Sequence, residues 1–141
     1  MDIGLIGFAA VLGLAAIGSA IGMGTAGMTA VGAWKKCFAQ NKPAPFMLIT
    51  FVGAPLTQTI YGFILMNRLI DSPSSPVAKM AAGIFGGLAM GFSALYQGKA
   101  GASASDALAE TGKGFGNYIM VVGLIETVAL FVMVFLLGAM G

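Results

Sequence analysis

Residues 114–141 read GFGNYIMVVGLIETVALFVMVFLLGAMG, a run in which the one charged side chain is Glu126. A helix needs about 20 residues to cross roughly 30 Å of hydrocarbon at 1.5 Å per residue, and this run exceeds that length. It therefore reads as a membrane span with a carboxylate inside it. Three other stretches carry no charge and are long enough to cross: Ile3 to Trp34, Pro43 to Asn67 and Met80 to Gly98. Across the 141 residues, 58% are hydrophobic, against seven basic and five acidic side chains. A soluble domain carries roughly a quarter of its residues as charges, so a soluble fold is excluded.

The expected fold class is an all-α membrane protein whose four transmembrane helices form two hairpins. The first hairpin is residues 1–70, with spans about 3–34 and 44–70. A Pro- and Ser-rich linker, Asp71-Ser72-Pro73-Ser74-Ser75-Pro76, occupies 71–76. The second hairpin is 77–141, with spans about 77–103 and 114–140. A signal peptide is not expected at the start, because Asp2 stands where a basic segment should and the apolar run is too long. Cys37 has no second cysteine to pair with. Lys35, Lys36 and Lys42 place loop 35–45 in the cytoplasm, which puts loop 104–113 there too and both termini outside.

The hairpins are copies. Ser19-Ala-Ile-Gly-Met-Gly-Thr-Ala-Gly27 matches Ser93-Ala-Leu-Tyr-Gln-Gly-Lys-Ala-Gly101, an offset of 74 positions. Gln58-Thr59-Ile60 lies on Glu126-Thr127-Val128, an offset of 68. Each repeat has an even number of spans, so the repeats are parallel in the membrane. Glu126 is thus matched by Gln58, and two hairpins share one charge. Counting from the loop centres places Met23, Gln58, Gln97 and Glu126 at one level near the middle of the membrane.

A carboxylate at that depth costs roughly 2.5 to 3.5 kcal/mol on insertion scales, and it calls for protonation, a cation or water. Lys99 is the nearest cation in sequence and can extend toward the cytoplasmic boundary. Thr57, Gln58, Tyr61 and Gln97 bring side-chain oxygens to the level of Glu126, a pattern suited to reversible binding of a proton or a metal cation. Pro55 disrupts the helical bond to the Phe51 carbonyl and loosens the backbone beside them. Gly18/Gly22 and Gly83/Gly87/Gly91 form stripes for close helix packing. Trp34, Phe46 and Tyr118 suit interfacial anchoring, and the ten methionines suit core filling. There is no histidine, no nucleotide-binding loop and no nucleophile beside a base, so no catalytic machinery is expected.

Four motifs, Gly18-Ser-Ala-Ile-Gly22, Pro55-Leu-Thr-Gln-Thr-Ile-Tyr-Gly62, Tyr96-Gln-Gly-Lys99 and Ile125-Glu-Thr127, stand in an order and spacing that resemble the 16-kDa proteolipid, or K subunit, of the V/A-type rotary ATPases. The resemblance implies a homo-oligomeric rotor ring in lipid, with spans one and three inside and spans two and four outside. It implies a stator membrane subunit whose Arg discharges each carboxylate, central-stalk subunits at the cytoplasmic loops, and ATP hydrolysis or synthesis elsewhere in the complex. It implies no resident cofactor and no nucleic acid, only transported Na+ or H+, in a prokaryotic plasma membrane. In sodium-type members the matching ligand set is Glu126, Gln97, Gln58, Thr57 and the backbone carbonyl of Ala54, with the Tyr61 hydroxyl on the carboxylate. Leu56 departs from a related member, which has Gly there. The other readings are the same rotor carrying H+, a small drug/proton antiporter, for which an acid in the first span is expected, and a channel or scaffold, which would not require Glu126.

Overall fold

The computed structural model describes residues 2–141, so Met1, the first residue of the expected first hairpin, lies outside the described residues. In chain order there are α1 (Gly4–Ala39), α2 (Leu48–Gly53), a 3-10 turn (Ala54–Leu56), α3 (Thr57–Asp71), α4 (Pro76–Thr111) and α5 (Phe115–Ala139). The described residues contain no strand. Four helical segments are long and apolar enough to cross a membrane: α1, α2 through α3, α4 and α5.

Local chemistry sets the helix ends. Helices α1 and α4 each run 36 residues, further than the expected spans ending at 34 and 103. Their polar ends carry no helix breaker until Asn41, at φ 52°, and Gly112, at φ 66°. Lys36 and Glu110 meet across these two extensions at 3.7 Å. Helix α2 begins at Leu48, later than the expected 44, because Pro45 disfavours helical backbone at Ala44 and the chain turns at 46–47. The Trp34 Nε1 donates to the Pro45 carbonyl at 2.7 Å and ties that turn to α1. Ser75 caps α4, its Oγ accepting from the Ala78 amide, with Pro76 in the first turn. The Ser72 hydroxyl donates to the Met140 carbonyl at 2.7 Å, fastening the linker to the end of α5.

Helices α1 and α4 lie parallel and touch at backbone level. A Cβ on Gly18 would run into the Gly91 backbone, and one on Gly98 into Gly22. Without side chains there, the two axes can approach far closer than ordinary helices do. Helices α3 and α5 cover one side of this pair. The buried apolar residues form two clusters. One holds Val11, Ala15, Leu65, Leu69, Met90 and Ala129. The other holds Ala30, Leu48, Phe51, Ala104, Leu108 and Val122. Along α3, α4 and α5 the residues between these clusters are polar, and they make the site. Much of the outer surface is apolar: Phe135 on α5 and Met28 on α1 are 69% and 74% exposed.

Candidate ion-binding site

The site forms where the Pro55 break sits opposite unbroken α4 and α5. Pro55 is buried, and its Cβ packs toward Gly22 of α1. The Phe51 carbonyl, deprived of its amide partner by Pro55, abuts Gly101 of α4, where a Cβ would lie 2.9 Å from it. The 3-10 turn then sets Thr57 and Gln58 at the start of α3, with Gln58 facing α4.

Glu126 of α5 accepts two hydrogen bonds. Its Oε1 takes the Tyr61 hydroxyl at 2.8 Å, and its Oε2 takes the Gln97 Nε2 at 3.0 Å. The same Gln97 nitrogen donates to the Val122 carbonyl at 3.1 Å. Gln97 Oε1 accepts from Gln58 Nε2 at 2.8 Å. Gln58 Oε1 in turn lies 3.1 Å from the Thr57 hydroxyl, which is also 3.1 Å from the Ala54 carbonyl. One hydroxyl proton serves one of these two acceptors at a time. Gln58 and Gln97 are wholly buried.

The direction of this chain of amides follows from its fixed end. A backbone carbonyl can only accept, so Val122 requires the NH2 end of Gln97 beside it. That orientation aims a donor at Glu126 and an acceptor at Gln58. Gln58 must then donate to Gln97, which turns its own oxygen toward Thr57 and the Ala54 carbonyl. Oε2 of Glu126 therefore faces an amide donor, and Oε1 faces the Tyr61 hydroxyl. Among the described residues Glu126 has no ion-pair partner, and no three or more His, Cys, Asp or Glu side chains cluster in a way that could hold a metal ion. The site offers one negative charge among neutral oxygens, which balances a single positive charge and would leave a divalent cation undercompensated.

All six residues singled out from the sequence, Ala54, Thr57, Gln58, Tyr61, Gln97 and Glu126, meet in this one network. Leu56, the departure from a related member, is 47% exposed and points away from it. Ser93 is an addition: its hydroxyl donates to the Ile125 carbonyl at 2.9 Å and accepts from Gln58 Nε2 at 3.3 Å. Its signal in the sequence was the Ser19/Ser93 match. Lys99 corrects an expectation. Its Nζ sits 5.0 Å from the centre of the Tyr96 ring, one turn back toward the middle of α4, instead of extending toward the end of α4 near loop 104–113. Helical side chains lean toward the helix N-terminus, and in α4 that direction leads inward.

The family model for the ATP synthase C-subunit matches residues 80–137, which hold Ser93, Gln97 and Glu126. The A-type ATP synthase subunit K of Methanocaldococcus jannaschii is 34% identical over 132 residues, covering 92% of this chain. The second hairpin of this chain is thus similar to the ATP synthase C-subunit, and most of the chain is similar to an A-type ATP synthase subunit K. The chain spans 57% of that relative's length. The half-buried Glu126 stands inside the segment that the family model matches, while Thr57, Gln58 and Tyr61 come from the first hairpin, outside it.

Proposed function

We propose that this chain is the ion-carrying rotor subunit of a V/A-type ATPase, moving Na+ across the membrane by reversible binding at Glu126. The observation that carries this reading is the carboxylate held by two donors at the centre of a polar layer. Glu126 supplies the charge. Gln58 Oε1, the free lone pair of Gln97 Oε1, the Thr57 hydroxyl and the Ala54 carbonyl supply neutral oxygens to replace the water shell of the ion. The Tyr61 hydroxyl holds the carboxylate in place. A proton needs no such set of oxygens, since a protonated Glu126 is served by the Tyr61 oxygen and the Gln97 amide alone. The unused oxygens favour Na+ over H+.

The subunit makes and breaks no covalent bond; ATP chemistry belongs to other subunits. The apolar outer surface fits lipid and neighbouring copies in a closed ring, with α1 and α4 inside and α3 and α5 outside. Glu126 passes a stator subunit whose Arg displaces the ion, and loops 35–45 and 104–113 face the central stalk in the cytoplasm of a prokaryote.

The test is labelling of Glu126 by a carboxyl-modifying carbodiimide in the purified ring. The reagent attacks the protonated acid, and a bound cation keeps the acid charged, so Na+ should slow labelling. Lowering the pH protonates the carboxylate that holds Na+, so protection should weaken as pH falls and strengthen as it rises. Labelling that ignores Na+ at every pH rejects the sodium reading. Labelling that is also absent at low pH rejects the rotor reading.

A further inference from the structure

We propose that Ser93 is a positioning residue that locks the Gln58 amide with its oxygen, and not its NH2 group, toward the cation. The proposal rests on the sodium reading of the site. Its ground is the polarity of the serine hydroxyl. Ser93 donates its one proton to the Ile125 carbonyl, which can only accept, so its lone pairs are what it turns toward Gln58. At 3.3 Å from that hydroxyl, only the nitrogen of Gln58 is tolerated. The Val122 carbonyl imposes the same direction through Gln97 from the other end. Two backbone carbonyls of α5, three positions apart, thus dictate which end of an α3 side chain faces the ion.

Gln97 can hold its direction without help, since a reversed amide would set its oxygen against both Val122 and the Glu126 carboxylate. Gln58 has no backbone carbonyl or carboxylate of its own to fix it. Its direction depends on two acceptors, Gln97 Oε1 and Ser93 Oγ, and its two amide protons are matched to them one for one. Removing Ser93 leaves a buried N–H without a partner and the amide held by its bond to Gln97 alone, which costs the cation a well-aimed oxygen without touching Glu126.

The duplication supplies an internal control. Ser19 occupies the place of Ser93 in the first hairpin. A Cβ on Gly62 would meet Ala15, and one on Gly22 would meet Pro55, so the antiparallel register sets Ser19 level with Gln58 as Ser93 is level with Glu126. Yet Ser19 is 2% exposed and its hydroxyl has no hydrogen-bond partner among the described residues. The same residue in the same frame is connected in one copy and unconnected in the other.

The experiment compares Ser93→Ala, Ser93→Thr and Ser19→Ala in the assembled ring, reading two quantities from carbodiimide labelling. These are the rate without Na+, which reports Glu126 itself, and the Na+ concentration that halves it. Ser93→Ala should raise the half-protecting concentration roughly three- to tenfold, the effect of one buried hydrogen bond, with the Na+-free rate unchanged. Ser93→Thr, which keeps the hydroxyl, should return it to within about twofold of wild type, and Ser19→Ala should not move it. An unchanged half-protecting concentration in Ser93→Ala overturns the proposal, as does an equal rise in Ser19→Ala, which would mark a general packing effect. If Ser93→Ala fails to assemble, the wild-type ring decides: both side-chain amide protons of Gln58 should exchange with deuterium as slowly as those of Gln97, and fast exchange at Gln58 overturns the lock. Absence of any Na+ protection in wild type is a separate result, because it removes the sodium reading before a variant is compared.

Discussion

Gln58 and Glu126 hold the same place in the two hairpins, and the structure shows how differently the copies use it. In the second hairpin an unbroken α5 carries the carboxylate beside an unbroken α4, whose Ser93 and Gln97 both bond to α5. In the first, Pro55 splits the span into α2 and α3, and the partner positions on α1 are Ser19, whose hydroxyl bonds to nothing among the described residues, and Met23, which cannot accept a hydrogen bond of comparable strength. The NH2 end of Gln58 joins the other hairpin, while its oxygen stays beside Thr57 of its own. A duplicated scaffold has thus been pooled into one site, with the charge from one copy and oxygens from both. The first hairpin keeps the shape of a site and donates its contents.

Making the two copies alike is the most severe way to break this comparison. Glu126→Gln gives each hairpin the same neutral residue, and it should abolish ion transport and carbodiimide labelling while the ring still assembles, since side-chain shape is kept. Transport assays beside a native gel of the ring decide it; transport that survives removes Glu126 from the mechanism.

A second contrast lies between the two faces of α1. Gly18 abuts the Gly91 backbone, whereas Gly24 has open space around it. Gly18→Ala should force α1 from α4 and destabilise the fold by about 1 to 3 kcal/mol, as overpacking of a tight contact does. Gly24→Ala should change stability by under about 1 kcal/mol in either direction, helix propensity being the main term. Thermal unfolding of the detergent-solubilised protein separates them. If Gly24→Ala in assembled rings proves as damaging as Gly18→Ala, a neighbouring copy closes on that face as tightly as α4 closes on the other.

Much of this was open to reading before any coordinates. Polar side chains are conspicuous in apolar spans, so Thr57, Gln58, Tyr61, Gln97 and Glu126 stood out, and hairpin counting put them at one depth. The Gln-for-Glu substitution was visible as a broken repeat. What could not be read was direction. A sequence gives no sign of which end of a glutamine faces which neighbour, because that is decided by carbonyls such as Val122 O on another helix. Ser93 was hidden for a related reason: a serine on a helix rich in glycine and alanine looks like packing, and Ser19 shows that the same residue can be only that. The helical extensions past Trp34 and Ser103 were missed because charged residues are good helix formers once outside hydrocarbon. The inward course of Lys99 depends on the N-terminal lean of helical side chains, which outweighed an assumed preference for the nearer interface.

Between the extremes stand the neutral ligands. Gln97→Ala removes the donor to Glu126 and the acceptor of Gln58 together, and it should weaken Na+ protection by about ten- to a hundredfold, in the range for losing a buried, charge-assisted bond with its follower. Met23→Ala, the same truncation at the matching position of the first hairpin, should leave protection within about twofold of wild type, since Met23 offers the ion no comparable oxygen. Thr57→Ala should fall between them. It deletes one oxygen, but the Ala54 carbonyl and Gln58 Oε1 remain in reach. Half-protecting Na+ concentrations rank all three, and equal values for Gln97→Ala and Met23→Ala would dissolve the asymmetry between the hairpins.

Among the residues of the site the smallest effect is expected at Tyr61, and it distinguishes holding the ion from holding the carboxylate. Tyr61 matches Ala129 in the second hairpin, so the first copy alone contributes a hydroxyl from this position. That hydroxyl reaches Glu126 Oε1 at 2.8 Å and is the one donor to that oxygen. Tyr61→Phe keeps the ring and its packing and removes one hydrogen bond to a charged group, worth about 1.5 kcal/mol at the low end, or roughly a tenfold change. Part of that loss is recovered, because the freed oxygen can turn toward the cation and gain Coulomb energy. The net weakening of Na+ protection should therefore be only about two- to fivefold, while the rate at which bound Na+ exchanges should rise by more, since the carboxylate is no longer anchored as the ion leaves. Stopped-flow exchange of Na+ beside equilibrium protection measures the two separately. Equal changes in rate and affinity would mean that Tyr61 stabilises the loaded site alone, and no change in either would leave its hydrogen bond without a part in ion handling.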